Sequence, residues 1–167
     1  RRWHRALRRP RRGAAGAAQL VWEDIGLDQV RRWARADQPG VAAADLPVSG
    51  VSTDSRSLTA GQIFVALAGE RFDGHEHVAE ALERGASAAI VDRRRIVDLS
   101  RLAGADRLLA VDSPLRAMGR LARQYRRRFD IPVVAITGSA GKTTAKEMIA
   151  AVLERRYPVL RTPANEN

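Results

Sequence analysis

The sequence predicts an α/β fold in two parts, a small N-terminal α/β domain followed by the start of a second α/β domain. Two observations lead to this prediction. Short apolar runs alternate with segments of helical periodicity, the order typical of a largely parallel sheet. A glycine-rich turn then lies between the last apolar run and a helical segment, and this is the context that a phosphate-binding loop requires.

Four short apolar runs bounded by glycine, proline or polar residues are predicted to be buried strands. They lie at 63–67, 88–91, 108–111 and 131–136. In the last of them Pro132 comes at the start of the strand, where a missing N–H is tolerated.

Four segments with helical periodicity are predicted to be helices. They lie near 24–35, at 77–84, from Ser113 to about 129, and at 142–155. Gly85 is expected to end the second helix. Ser113 and Pro114 are expected to cap and begin the third. The predicted apolar stripe of that third helix is Leu115, Met118, Ala122, Tyr125 and Phe129.

The domain organisation follows from these elements. We expect a basic leader at 1–19, a first domain at 20–111, a linker helix at 112–130 and the start of a second domain at 131–167. The chain begins at an arginine and ends inside a polar run, so we expect it to be part of a longer protein.

The net charge of +10 is concentrated in the leader. Seven arginines and no acid lie in residues 1–12, in a stretch that shows no apolar periodicity. We therefore expect the leader to be disordered and dispensable, and we expect no nucleic-acid partner. The rival interpretation, an RNA- or DNA-binding protein that uses this tail, leaves the glycine-rich turn unexplained.

Composition excludes several other classes of function. The chain has no cysteine, which excludes disulfides and thiolate chemistry. No run of about 18 apolar residues occurs, so no membrane-spanning helix is predicted. His75 and His77 have no third histidine nearby, and a metal site there is disfavoured on ligand count.

The glycine-rich turn at 137–144 reads Thr-Gly-Ser-Ala-Gly-Lys-Thr-Thr. Its two glycines allow a tight turn, after which the amides at the helix start can face an anion. We expect Lys142 to contact the β- and γ-phosphates of a bound polyphosphate, and the Thr143 hydroxyl to ligate Mg²⁺. The candidate phosphate-binding residues are Gly138, Ser139, Ala140, Gly141, Lys142, Thr143 and Thr144. The general Walker pattern has a glycine where this chain has Ile136, so the loop is the shorter G-x-x-G-K-T.

This short loop, preceded by Ile136 and Thr137, resembles that of the Mur ligase family. A second block supports the resemblance. It comprises Asp54-Ser55-Arg56, then 61–67 reading Gly-Gln-Ile-Phe-Val-Ala-Leu, then 69–75 reading Gly-Glu-Arg-Phe-Asp-Gly-His. This block is similar to the signature of the family's N-terminal, UDP-binding domain. The two blocks occur in family order and at family separation, and the resemblance covers 50–167 and, less closely, 20–50.

The resemblance implies an ATP-dependent peptide ligase of bacterial cell-wall precursor synthesis, cytoplasmic and monomeric, with ATP and Mg²⁺ as cofactors. Lys142 and Thr143 are its implied catalytic residues. Its implied substrate-binding residues are Thr53, Ser55, Glu70, Arg71, Phe72 and Asn165. From the residues alone, another interpretation stays open: Asp54 and Arg56 form a structural pair, and Ser55 caps a turn.

Within the family, the features of 69–73, 146–148 and 162–167 are most similar to the ligase that adds the final dipeptide, although Ala164 replaces a usual glycine. That reaction phosphorylates the terminal carboxylate of UDP-N-acetylmuramoyl-tripeptide, and the amine of D-alanyl-D-alanine then attacks the acyl phosphate. The alternatives are the sibling ligase that adds the third amino acid, and a non-catalytic nucleotide-binding module. We expect this piece of chain to bind rather than to catalyse.

Overall fold

Four parallel strands pair in the order in which they occur along the chain. The computed structural model describes residues 22, 24–37 and 46–162. The strands are β1 (Gly50–Ser52), β2 (Gln62–Val65), β3 (Ala88–Asp92) and β4 (Leu108–Val111). Their contacts, with those of the flanking helices, form one unit that ends at Phe129, and a second unit begins at Asp130.

Helices cover both faces of this sheet. Helices α1 (Leu27–Ala34) and α4 (Pro114–Arg126) pack on one face, and α2 (Val78–Glu83) and α3 (Ile96–Leu99) pack on the other. Side chains along a strand alternate between the two cores, because successive residues point to opposite faces. In β2, Ile63 belongs to the α1/α4 core and Phe64 to the α2/α3 core, and both are fully buried.

The predicted α/β fold class is confirmed, and three of the four predicted strands form the sheet as β2, β3 and β4. Two elements were not predicted. Strand β1 has only three residues, of which only Gly50 is buried, so the sequence contains no apolar run that would predict this strand. Helix α3 is a single turn of four residues, too short for a helical period to be visible.

The predicted apolar stripe of α4 is partly wrong. The buried residues of this helix are Pro114, Ala117 and Leu121. Leu115 is 63% exposed and Ala122 is exposed, whereas Met118 and Tyr125 are partly buried against the core as predicted. The small side chain of Ala117, fully buried, faces the sheet. The helix therefore turns Ala117 rather than Leu115 toward the sheet.

Helix α4, predicted as a linker, packs within the first unit.

The second unit contains one helix, α5 (Lys142–Glu154), among its described residues 130–162. The strand predicted at 131–136 is wrong for this structure, since these residues belong to no sheet. Val133 and Val134 are 64% and 62% exposed. A strand is stabilised by a neighbouring strand, and the described part of this unit contains no second run that could pair with it.

Candidate functional site

Two loops meet at one edge of the sheet because β1 and β2 are parallel neighbours whose carboxyl ends lie together. One loop, 53–61, follows β1 and contains a short 3₁₀ turn at Ser55–Ser57. The other, 66–73, follows β2 and is closed by an antiparallel bridge between Ala68 and Asp73. Five of the six predicted substrate-binding residues lie on these two loops.

Ser55 faces inward from the first loop. It is 5% exposed, and its hydroxyl donates a hydrogen bond to the Glu80 carboxylate at 2.9 Å. This bond, more than the ion pair of Glu80 with Arg84 at 2.9 Å, lowers the pKa of Glu80 below its usual value. Ser55 thus fastens the first loop to helix α2. Sequence reasoning did not find Glu80, which lies 25 residues away on a helix with an ordinary composition.

Asp54 and Arg56 form a structural pair, as the alternative interpretation of this block proposed. The guanidinium of Arg56 donates to both carboxylate oxygens of Asp54, at 3.0 and 2.8 Å, and its backbone N–H donates to one of them. These bonds lower the pKa of Asp54 to about 2. Thr53, next to this pair, is exposed and open to a ligand.

The second loop presents Glu70, Arg71 and Phe72 to solvent. Its shape is held by a backbone hydrogen bond from the Gly69 N–H to the Phe72 carbonyl at 2.8 Å. The Phe72 ring is 52% exposed and stacks on the ring of His77 with centroids 5.4 Å apart and planes 14° apart. One face of an aromatic ring at a strand edge is therefore supported by the protein.

His77 links the two loops. Its Nδ1 lies 3.6 Å from the same Glu80 carboxylate oxygen that accepts the Ser55 hydrogen bond. The His77 ring also stacks on Phe72. His77 and Glu80 therefore connect Ser55 on the first loop with Phe72 on the second, and no sequence pattern predicts this role for either residue.

Three consecutive arginines after β3 do not form an anion-binding patch. Arg93 pairs with Asp37 and with Asp112, Arg94 pairs with Asp92 at 2.6 Å, and Arg95 pairs with Asp73 at 3.4 Å. The side-chain hydrogen bonds from Arg94, ahead of the other contributions, lower the pKa of Asp92 to about 2. The three arginines are thus paired with four acids, Asp37, Asp73, Asp92 and Asp112.

The phosphate-loop residues form a tight turn that leads into α5. Gly141 precedes the helix with φ of 74°, and Gly138 has φ of 152°, both in the region that favours glycine. No side chain caps the helix and no acid lies in its first turn, so its first N–H groups remain available to an anion. Lys142 donates a hydrogen bond through Nζ to the Gly138 carbonyl at 2.8 Å. Thr143 and Thr144 are exposed.

The chain returns along α5 after the helix ends. Lys146 Nζ donates to the Thr162 carbonyl at 2.7 Å, and Arg161 pairs with Glu147 at 2.6 Å. These contacts hold the described end of the chain beside the first turns of the helix that carries the phosphate loop. Asn165, a predicted substrate-binding residue, lies outside the described residues, as does the predicted basic leader.

A triphosphate fits this loop on the observations above, since open backbone donors, a lysine and a threonine hydroxyl come together at one helix end. Within residues 22–162 as described, no group of three His, Asp or Glu side chains could by itself hold a metal. A magnesium ion at Thr143 would therefore need phosphate oxygens for most of its ligands, as Mg²⁺ commonly does. The described helices include none that is long and apolar enough to span a membrane.

Comparison with known proteins gives consistent matches. Residues 47–165 match the model of the Mur ligase family, catalytic domain. The UDP-N-acetylmuramoyl-tripeptide–D-alanyl-D-alanine ligase of Synechocystis is 42% identical over 123 residues, which are 74% of this chain and 26% of that protein. The Escherichia coli enzyme of the same name is 44% identical over 124 residues, again 74% of this chain and 26% of the enzyme. This chain thus spans about a quarter of the length of the curated relatives that it matches.

Solved structures give the same result. The crystal structure of the MurF ligase from Thermotoga maritima in complex with ADP aligns with a TM-score of 0.61 and 36% sequence identity. The alignment covers 73% of this chain and 26% of that one. At 36% identity, the two proteins are similar in sequence as well as in fold.

Proposed function

The chain belongs to the Mur ligase family, and on that premise we propose that it is part of an ATP-dependent ligase that joins D-alanyl-D-alanine to UDP-N-acetylmuramoyl-tripeptide. The observation that carries this proposal is the presence, in one chain, of a phosphate loop at the start of α5 and the paired loops at the carboxyl edge of β1 and β2. Relatives that are 42% and 44% identical bear the name of this ligase.

The proposed reaction has two steps that balance in atoms and charge. An oxygen of the tripeptide's terminal carboxylate attacks the γ-phosphorus of ATP, and ADP leaves as the acyl phosphate forms. The amine of D-alanyl-D-alanine then attacks the acyl carbon, a proton leaves the nitrogen, and phosphate departs with the former carboxylate oxygen. This chain would contribute the phosphate loop to the first step.

Two residues of the loop are the proposed catalytic residues. Lys142 would leave the Gly138 carbonyl, its partner at 2.8 Å, to contact the β- and γ-phosphates. Thr143 would hold Mg²⁺ together with phosphate oxygens, and the ion would neutralise charge on the transferring group. The backbone of 138–144 would cradle the phosphates through its N–H groups. Because the backbone N–H groups would be in place before the substrate binds, they would need little reorganisation during phosphoryl transfer.

The two loops at the edge of β1 and β2 are the proposed site for the UDP portion of the substrate. Thr53, Glu70 and Arg71 are exposed there, and Phe72 offers a supported ring on which a base could stack. The hydroxyl of Ser55 is engaged by Glu80, so Ser55 would act mainly by holding its loop in place.

Asn165 stays a proposed substrate-binding residue on the family resemblance of the segment 162–167, since it lies outside the described residues.

The substrates that support turnover distinguish the proposed ligase from the sibling ligase and from a non-catalytic nucleotide-binding module. Phosphate release by the full-length protein should require both UDP-N-acetylmuramoyl-tripeptide and D-alanyl-D-alanine. Replacing these substrates by the UDP-linked dipeptide and a free diamino acid or lysine tests the sibling activity. Turnover with the second pair alone would assign the sibling function. ATP binding without turnover with either pair would favour a non-catalytic nucleotide-binding module.

A further inference from the structure

His75 makes two directed hydrogen bonds from a buried position after the second loop. The residue is 6% exposed. Its Nδ1 lies 2.6 Å from the Asp73 carboxylate, and its Nε2 lies 2.9 Å from the backbone nitrogen of Asp92 at the end of β3. The ring thus bridges the closing residue of the 66–73 loop and the neighbouring strand.

The bridge fixes the protonation state of the ring. A backbone N–H can only donate, so Nε2 must accept from Asp92 and carry no proton. The hydrogen on a neutral imidazole then lies on Nδ1, where it points to the Asp73 carboxylate. A second proton would place two donors face to face at 2.9 Å.

Asp73, Gly74 and His75 close the base of the loop. Asp73 bridges to Ala68 and thereby closes the loop at its base. Gly74 then packs so tightly that an added Cβ would lie 2.8 Å from the Leu67 carbonyl oxygen. The run Asp73-Gly74-His75 is therefore one anchoring unit: the first residue closes the loop, the second allows the close approach and the third ties it to β3.

We propose that His75 is a positioning residue that holds the 66–73 loop in its ligand-binding shape through these two hydrogen bonds. The inference rests on the proposed function in one respect, since Glu70, Arg71 and Phe72 on this loop are the proposed contacts of the UDP group. The histidine itself does not touch the substrate.

The charged side chains near the ring are engaged with one another. Asp73 faces Nδ1, and Arg95 pairs with the other oxygen of Asp73 at 3.4 Å. The Asp92 carboxylate is turned to Arg94 and accepts from it at 2.6 and 3.0 Å. The Asp92 N–H therefore has Nε2 of His75 as its acceptor, and an open depression of about 330 Å³ lies beside the ring.

Two substitutions separate the two hydrogen bonds. His75→Gln places an amide oxygen near the position of Nε2 and can keep the bond from the Asp92 N–H. His75→Asn is shorter, can still reach Asp73 and leaves that N–H without its acceptor. Glu76→Gln is the control, because Glu76 is exposed in the same 3₁₀ turn.

The measurements are made on the protein at about pH 8, above the ordinary pKa of a histidine side chain. Imidazole ¹⁵N spectra report which nitrogen of His75 carries the proton. The protection factor of the Gly69 amide reports loop shape, and calorimetry gives the Kd for UDP. Thermal unfolding identifies any variant that does not fold.

At pH 8 we expect a proton on Nδ1 and none on Nε2. His75→Asn should lower Gly69 protection and weaken UDP binding about tenfold, the scale of one lost hydrogen bond. His75→Gln should restore most of both.

Two results would overturn the inference: a proton on Nε2 at pH 8, or a folded His75→Asn variant that matches Glu76→Gln in Gly69 protection. UDP binding is judged separately. If wild-type protein binds no UDP, the proposed function of the loop is wrong, and the ¹⁵N spectra and Gly69 protection alone decide the role of His75.

Discussion

The ammonium group of Lys142 donates a hydrogen bond to the carbonyl oxygen of Gly138, 2.8 Å away, and so spans the turn that begins α5. The bond joins the first residue of the helix to the first glycine of the loop. A polyphosphate that enters the turn offers stronger, charged acceptors than this carbonyl. We therefore expect Lys142 to exchange its partner when ATP binds, while the backbone of the loop keeps its shape.

Lys142→Ala should lower the ligation rate of the full-length protein by about 10²–10³, comparable to the loss of one preorganised donor to a charged transition state. The side chain is only partly buried, so its removal opens no core cavity and the melting temperature should change little. Arg155→Ala removes a cation at the other end of the same helix and is the control. If the two folded variants ligate at equal rates, Lys142 does not take part in catalysis.

Thr143→Ala should lower turnover because it weakens Mg²⁺ binding, not because it weakens nucleotide binding. We expect the Mg²⁺ concentration needed for half-maximal rate to rise, and high Mg²⁺ to restore part of the activity, because the lost hydroxyl is one of few protein ligands. Thr143→Ser keeps the hydroxyl and is the matched variant. A Thr143→Ala enzyme with an unchanged Mg²⁺ titration would exclude this residue as a ligand.

Phe72→Ala should weaken binding of uridine nucleotides. A base stacked on this ring contributes about 1–3 kcal/mol, which corresponds to roughly five- to 150-fold in Kd. The exposed Val97, 70% accessible on α3, gives the control Val97→Ala. Calorimetry with UDP measures both variants. If Phe72→Ala binds UDP as tightly as the control does, the base does not stack on this ring.

Leu121→Ala should destabilise the first unit by about 2–5 kcal/mol, as expected for a buried leucine that leaves a cavity. Its side chain is 1% exposed between α4 and the sheet. Leu115→Ala on the same helix should change the free energy of unfolding by less than about 0.5 kcal/mol, since Leu115 is exposed. Urea unfolding compares them. A larger loss for Leu115→Ala than for Leu121→Ala would mean that α4 packs with the stripe that the sequence predicted.

The elements with a strong local signal were predictable from the sequence. Strand β3 is buried at every position, and the cap and proline of α4 define its start, with Ser113 Oγ accepting from the Arg116 N–H at 3.3 Å. The phase of α4 was not predictable, because Ala117 and Ala122 look alike until the sheet that faces one of them is known. The segment 131–136 shows the opposite limit: an apolar run specifies a strand only when another strand can pair with it.

The candidate site was predictable in its loops but not in its contacts. Asp54, Ser55 and Phe72 were identified from a sequence block, and the structure places them at one sheet edge. The residues that connect them, His77 and Glu80, lie on the next turn and helix, and their role appears only when the chain folds back. Sequence spacing carries no signal for a hydrogen bond between residues 25 positions apart.

The most direct measurement follows an oxygen atom through the proposed ligation. Full-length protein is given UDP-N-acetylmuramoyl-tripeptide labelled with ¹⁸O in its terminal carboxylate, together with ATP, Mg²⁺ and D-alanyl-D-alanine. If the carboxylate attacks ATP held at 138–144, each phosphate released carries one ¹⁸O atom, and folded Lys142→Ala protein releases little labelled phosphate. Phosphate released without ¹⁸O would mean that water attacks ATP instead, and would contradict the ligase assignment.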